Sequence, residues 1–117
     1  MYTVYGIKNC NTVKKALDWL DQHKVSYKFH DYKKQGISRK QLGEWTQQTD
    51  WEKLLNKKGT TWKKLDKDLQ DSIDDADKAM ALMEEKTSII RRPLIEDKHK
   101  IIIIGFDENE YKRLFNG

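Results

Sequence analysis

The spacing of apolar positions changes along the chain, and each change predicts an element. Tyr2-Thr3-Val4-Tyr5 is β-branched and aromatic and stops at Gly6, which predicts a short strand. Val13, Ala16, Leu17 and Leu20 then recur at i, i+3, i+4 and i+7, one face of a helix, with Asn11 or Thr12 placed to cap its free N–H groups. Tyr27-Lys28-Phe29-His30-Asp31-Tyr32 alternates large and polar residues with period two, a second strand, and Lys33-Lys34-Gln35-Gly36 is a polar turn. Two strands joined by a helix of this length predict parallel pairing through a right-handed crossover. Cys10 falls at the strand-to-helix junction.

From Gly36 the pattern becomes one of short helices. Ser38 with Gln41 resembles a capping box ahead of Leu42 and Trp45, and Asp50 is placed to cap Trp51 to Asn56. Lys58-Gly59-Thr60-Thr61 is a loop. Ile73, Ala76, Ala79, Met80 and Met83 share one face of a helix reaching about Lys86, the methionines reading as core filler. Leu94 to Asp97 and Ile101 to Ile104, joined by the turn Asp97-Lys98-His99-Lys100, predict a hairpin. Four consecutive isoleucines suit a strand covered on both faces. Asp107 and Glu110 start a last helix that turns Tyr111, Leu114 and Phe115 inward. The order β-α-β, helices, β-β-α predicts an α/β domain with a helical insertion.

At 117 residues the chain has the length of one domain, 1–117. Four Trp, five Tyr and three Phe supply the apolar bodies that a disordered chain lacks. No stretch approaches the roughly 20 apolar residues that span a bilayer, and the N-terminus lacks a basic region followed by an apolar signal segment. The single cysteine excludes an intramolecular disulfide and fits a reducing cytosol, so a cytoplasmic location is expected. The net charge of +4 is unevenly spread: residues 1–64 carry 14 Lys/Arg against 6 Asp/Glu, and residues 65–117 carry 9 against 13. The lysines are scattered over several elements rather than gathered on one stripe, which argues against direct nucleic-acid binding.

Cys10 is the strong nucleophile among the side chains, and a helix N-terminus favours the thiolate through its unpaired N–H groups and dipole. Lys8 and Lys14 lie close in sequence and add positive charge. A lone cysteine in a small domain is also commonly an inert buried side chain, so position is what singles this one out. Arg91 and Arg92 offer forked donors for an oxyanion or carboxylate, and Pro93, if its preceding bond is cis, leaves nearby backbone groups for an extended ligand. The base-rate alternative is a surface arginine pair beside a trans proline. His23, His30 and His99 show no metal-ligand spacing, so no metal and no bound cofactor are expected. Trp45, Trp51 and Trp62 read as packing groups. Phosphate-loop and nucleophile-elbow motifs do not occur.

The string Tyr5-Gly6-Ile7-Lys8-Asn9-Cys10-Asn11-Thr12-Val13-Lys14-Lys15-Ala16 resembles the N-terminal motif of the arsenate reductase (ArsC) family. Tyr27 to Tyr32, Leu54 to Trp62 and Ser88 to Leu94 match further blocks of that family in order, closest to its YffB-type branch. The resemblance implies a thioredoxin-like (glutaredoxin-like) mixed four-stranded sheet flanked by helices, with residues about 36–86 as the helical insertion. It implies Cys10 as nucleophile, Arg92 as oxyanion-binding residue and a cis Pro93 beside the thiol. The sequence departs from arsenate reductases proper at Asn56, Lys58 and Gly105-Phe106, where further arginines would stand. It departs from the Spx branch at Val13, where a second cysteine would stand. What both departures leave is a monothiol reaction: Cys10 attacks a disulfide or oxidised small substrate, and an external thiol such as glutathione resolves the adduct. Lys8, Asn11, Thr12, Lys58 and Pro93 are the expected substrate-binding residues. The alternatives are an Spx-like regulator that binds RNA polymerase without turnover, and a paralogue that keeps the fold with no substrate.

Overall fold

Strand β1 (Tyr2–Gly6) pairs in parallel with β2 (Tyr27–Asp31) and antiparallel with β3 (Leu94–Asp97), which pairs antiparallel with β4 (Lys100–Ile104). The sheet order is β2-β1-β3-β4, the mixed four-stranded sheet that the resemblance implies. This computed structural model describes residues 1–115. Two compact units result: the sheet unit from Met1–Tyr32 and the residues from Arg92 onward, and a helical unit, Lys33–Arg91.

In the sheet unit, α1 (Asn11–Gln22) makes the crossover between β1 and β2. It buries Val13, Ala16 and Leu20 as the periodicity predicts, and also Trp19, while Leu17 is only half-buried. Val4 and Ile95 face each other across β1 and β3 and project onto the same side as Ala16, Trp19, Leu20 and Tyr111, forming the core of this unit. Tyr111 lies on the last helix, α8 (Glu108–Phe115), at 5.5 Å and 88° from the Trp19 ring, and its hydroxyl donates to Gly105 O at 2.7 Å. One expectation fails here. Ile101 to Ile104 are all half-buried rather than covered on both faces, because β4 is the edge strand and has a neighbour on one side only.

A single helical turn, α2 (Tyr32–Gln35), follows β2, and the helical unit contains helices α3 (Arg39–Gln48), α4 (Trp51–Leu54), α5 (Thr60–Lys63), α6 (Lys67–Ser72) and α7 (Ala76–Glu85). Ser38 caps α3 through a hydrogen bond from Gln41 N at 3.1 Å. Asp50 makes no side-chain cap, and α4 ends at Leu54 rather than Asn56, where the chain turns into a bridge between Leu55 and Ile90. Ile73 is not part of the methionine helix but ends α6, and α7 begins only after Asp75, whose side chain accepts from Lys78 N at 2.8 Å. Leu42, Trp45, Leu54, Met83, Ile89 and Ile90 are fully or almost fully buried, so Met83 is core filler as expected.

Candidate active site

The geometry of the site follows from strand register. Tyr5 on β1 is paired with Leu94 on β3. Continuing that antiparallel ladder brings Pro93 and Arg92 alongside the end of β1, where the chain passes through Ile7, Lys8 and Asn9 to Cys10. Residues 82 positions apart in the chain thereby meet at one end of the sheet.

Cys10 itself is the N-cap of α1, with extended backbone (φ −117°, ψ 123°), and its carbonyl accepts the first helical hydrogen bond, from Lys14 N at 3.0 Å. Asn11 and Thr12 are the first two helical residues and not caps, because the helix starts one residue earlier than the Asn or Thr preference suggests. The thiol is half-buried. Burial is the largest single influence and pushes its pKa up. The N–H groups of Val13 and Thr12, followed by the charge and hydrogen bonding of Arg92, together outweigh it, so the thiol titrates below an ordinary cysteine. This lowering fits the place of the thiol at the N-terminus of α1, where backbone N–H groups favour an anion.

The strongest cationic influence on the sulfur is Arg92, not the sequence neighbours Lys8 and Lys14, which are exposed. Arg91 does not join it: that side chain is exposed, and its backbone N–H donates to Leu54 O at 2.7 Å within the helical unit. The Arg92–Pro93 peptide bond is cis. Pro93 is buried and its carbonyl accepts from Gly105 N at 2.7 Å. Asn11 and Thr12 are exposed beside Cys10. Lys58 lies in the helical unit, exposed, in a turn held by its own N–H donating to Asn56 Oδ1 at 3.2 Å.

Sequence reasoning missed what stands behind Arg92. Tyr5, Glu96 and Tyr32 are buried there, and the Tyr5 hydroxyl donates to Glu96 Oε1 at 2.9 Å. Burial holds the Tyr32 phenol well above its ordinary pKa; Tyr5 and Glu96 add to this, and Arg92 opposes it. Arg92 therefore acts on both the thiol and this polar cluster. The signal in the sequence was Glu96 directly after the apolar pair Leu94-Ile95, since a carboxyl buried there demands a hydrogen-bonding partner. Among the described residues no group of three or more His, Cys, Asp or Glu could hold a metal ion, and no helix is long and apolar enough to cross a membrane.

Known proteins are similar to this chain in sequence and in fold. The YFFB protein is 43% identical and superposes with a TM-score of 0.90, over 97% of this chain and 98% of that one. An arsenate reductase (ArsC) related protein from Brucella melitensis is 41% identical, with a TM-score of 0.77 over 99% of this chain and 95% of its own. The global transcriptional regulator Spx of Streptococcus pneumoniae is 30% identical over 114 residues, covering 96% of this chain and 84% of Spx. Residues 5–114 match the ArsC family model, and the chain belongs to the ArsC family.

Proposed function

We propose that this chain is a thiol reductase that works with one nucleophilic cysteine and an external small thiol such as glutathione, in a reducing compartment such as the cytosol. The observation that carries the reading is the half-buried Cys10 at the start of α1, with its pKa lowered by two backbone N–H groups and by Arg92. The Cys10 thiolate attacks one sulfur of a disulfide; the S–S bond breaks and its electron pair leaves on the other sulfur as a thiolate. A thiolate of the external thiol then attacks the mixed disulfide and releases Cys10 as thiolate. With one cysteine in the chain, the resolving sulfur has to come from outside. Arg92 stabilises the anionic sulfur in the first and last states, and the exposed Lys8, Asn11 and Thr12 would meet the carboxylates of the small thiol. Arsenate reduction would use the same sulfur on an oxyanion.

The test is the rate of iodoacetamide alkylation against pH, in the native chain and in Arg92→Met. The expected midpoint lies below that of a free thiol and moves upward in the variant. Incubation with oxidised glutathione should add one glutathionyl group at Cys10, removable by reduced glutathione. A sulfur that stays neutral until alkaline pH, or that forms no adduct, refutes the reading.

The similarity to Spx supports a second reading, a regulator that binds RNA polymerase without turnover. In that case Cys10→Ala leaves polymerase binding intact, whereas the reductase loses all activity.

A further inference from the structure

The helical unit carries a surface that thiol chemistry does not use. Helix α6 buries none of its six residues, and a helix this short has no stability of its own in water. It is tethered by Gln70, whose Nε2 donates to Trp62 O at 2.8 Å and to Leu65 O at 3.2 Å. Leu69, 39% exposed, stands on it over a groove of about 270 Å³ floored by Ile73, Ala81 and Leu82. Pockets that take whole small ligands start at roughly 300 Å³, so this one suits one or two aliphatic side chains rather than a cofactor.

The charge around it is mostly negative. Residues 66–85 hold eight carboxylates against Lys67 and Lys78, in a chain whose net charge is +4, and all eight are exposed. Lys78, which lines the groove, is paired with Asp74 at 2.9 Å, and Glu85 lines it as well. An occupant must therefore bring an aliphatic anchor surrounded by positive charge. A second copy of this chain does not offer that. Among the described residues its exposed large apolar side chains are Met1, which has no basic neighbours in sequence, and Leu69, which would bring one acidic surface against another.

We propose that the groove between α6 and α7 docks a basic amphipathic helix of another protein, whose leucine-type side chain enters between Leu69 and Ala81 while its lysines or arginines meet the carboxylates around it. The surface lies within the helical unit and does not depend on the chemistry of Cys10.

The test uses the full chain and a fluorescein-labelled peptide of about 14 residues, with leucines at i, i+3 and i+7 and lysines elsewhere, followed by anisotropy. The peptide should bind, more weakly as salt rises, and Leu69→Asp and Ala81→Arg should each weaken it about tenfold or more. Both changes are at exposed positions; unchanged circular dichroism and unchanged Cys10 alkylation verify the fold. A peptide with serines in place of the leucines should fail to bind. The proposal is overturned if no binding occurs, if the serine peptide binds equally well, if the folded variants bind like the native chain, or if sedimentation shows a dimer that the same variants abolish.

Discussion

Replacing Gly6 by alanine puts a single methyl group against the turn that carries Cys10. A Cβ at Gly6 would lie 2.9 Å from Val13 Cγ2, 3.3 Å from Val13 Cγ1 and 3.5 Å from Phe29 Cε1. The described glycines with positive φ are Gly36 and Gly105, so the demand for glycine at position 6 is purely one of space. Val13 is fully buried and β-branched, with little rotamer freedom to swing away, so relief requires the first turn of α1 to shift. Two effects oppose each other. Losing a glycine stabilises through the unfolded chain by about 0.4–1 kcal/mol, and overpacking a core costs about 1–3 kcal/mol. The steric effect is the larger, and Gly6→Ala should lose about 1–2 kcal/mol in urea unfolding. The shift also carries the Val13 N–H away from the sulfur, so the pH midpoint of Cys10 alkylation should rise. Val13→Ala removes both γ-carbons, and in that background Gly6→Ala should cost little, a coupling of about 1–2 kcal/mol. A Gly6→Ala chain as stable as the native one, or a strictly additive double mutant, would refute the steric account.

Two further outcomes follow from the same region. Because the folded-state pKa of Cys10 is depressed, the thiolate favours the folded chain: this contribution is fully present above the pKa of an unfolded cysteine and is lost as pH falls through the lower folded value. The stability of the native chain relative to Cys10→Ser should therefore rise with pH across that window in urea melts, and a flat difference would contradict the assigned shift. Tyr5→Phe removes the buried hydroxyl that donates to Glu96 at 2.9 Å and should cost about 1–2 kcal/mol, read by the same melts; a change of only a few tenths would mean that the contact contributes nothing.

Much of the sheet unit was legible because its signals are local. The alternation of Tyr27 to Asp31, the single apolar face of α1 and the hairpin around Lys98-His99 each follow from backbone periodicity over fewer than about 12 residues. The differences have identifiable causes. Asn11 and Thr12 are better caps by type than cysteine, yet Cys10 takes the N-cap, leaving its sulfur to face the N–H groups of Thr12 and Val13. The isoleucine run reads as a central strand because composition does not say where a strand sits in the sheet, and β4 lies at its edge. The break at Asp74-Asp75 between α6 and α7 was hidden by small and apolar residues that continue the helical spacing across it.

By itself the sequence determined that one cysteine stands between a strand and a helix, that any second thiol must come from outside the chain, and that the acidic and basic residues are segregated along it. These are properties of neighbours in the polymer. Only the tertiary structure decided which cation acts most strongly on that sulfur: the exposed lysines nearby in sequence are outweighed by Arg92, brought across by the antiparallel pairing of β1 with β3. The physical reason is that Coulomb and hydrogen-bond energies depend on distance through space and on solvent exclusion, and both are set by strand register rather than by separation along the chain.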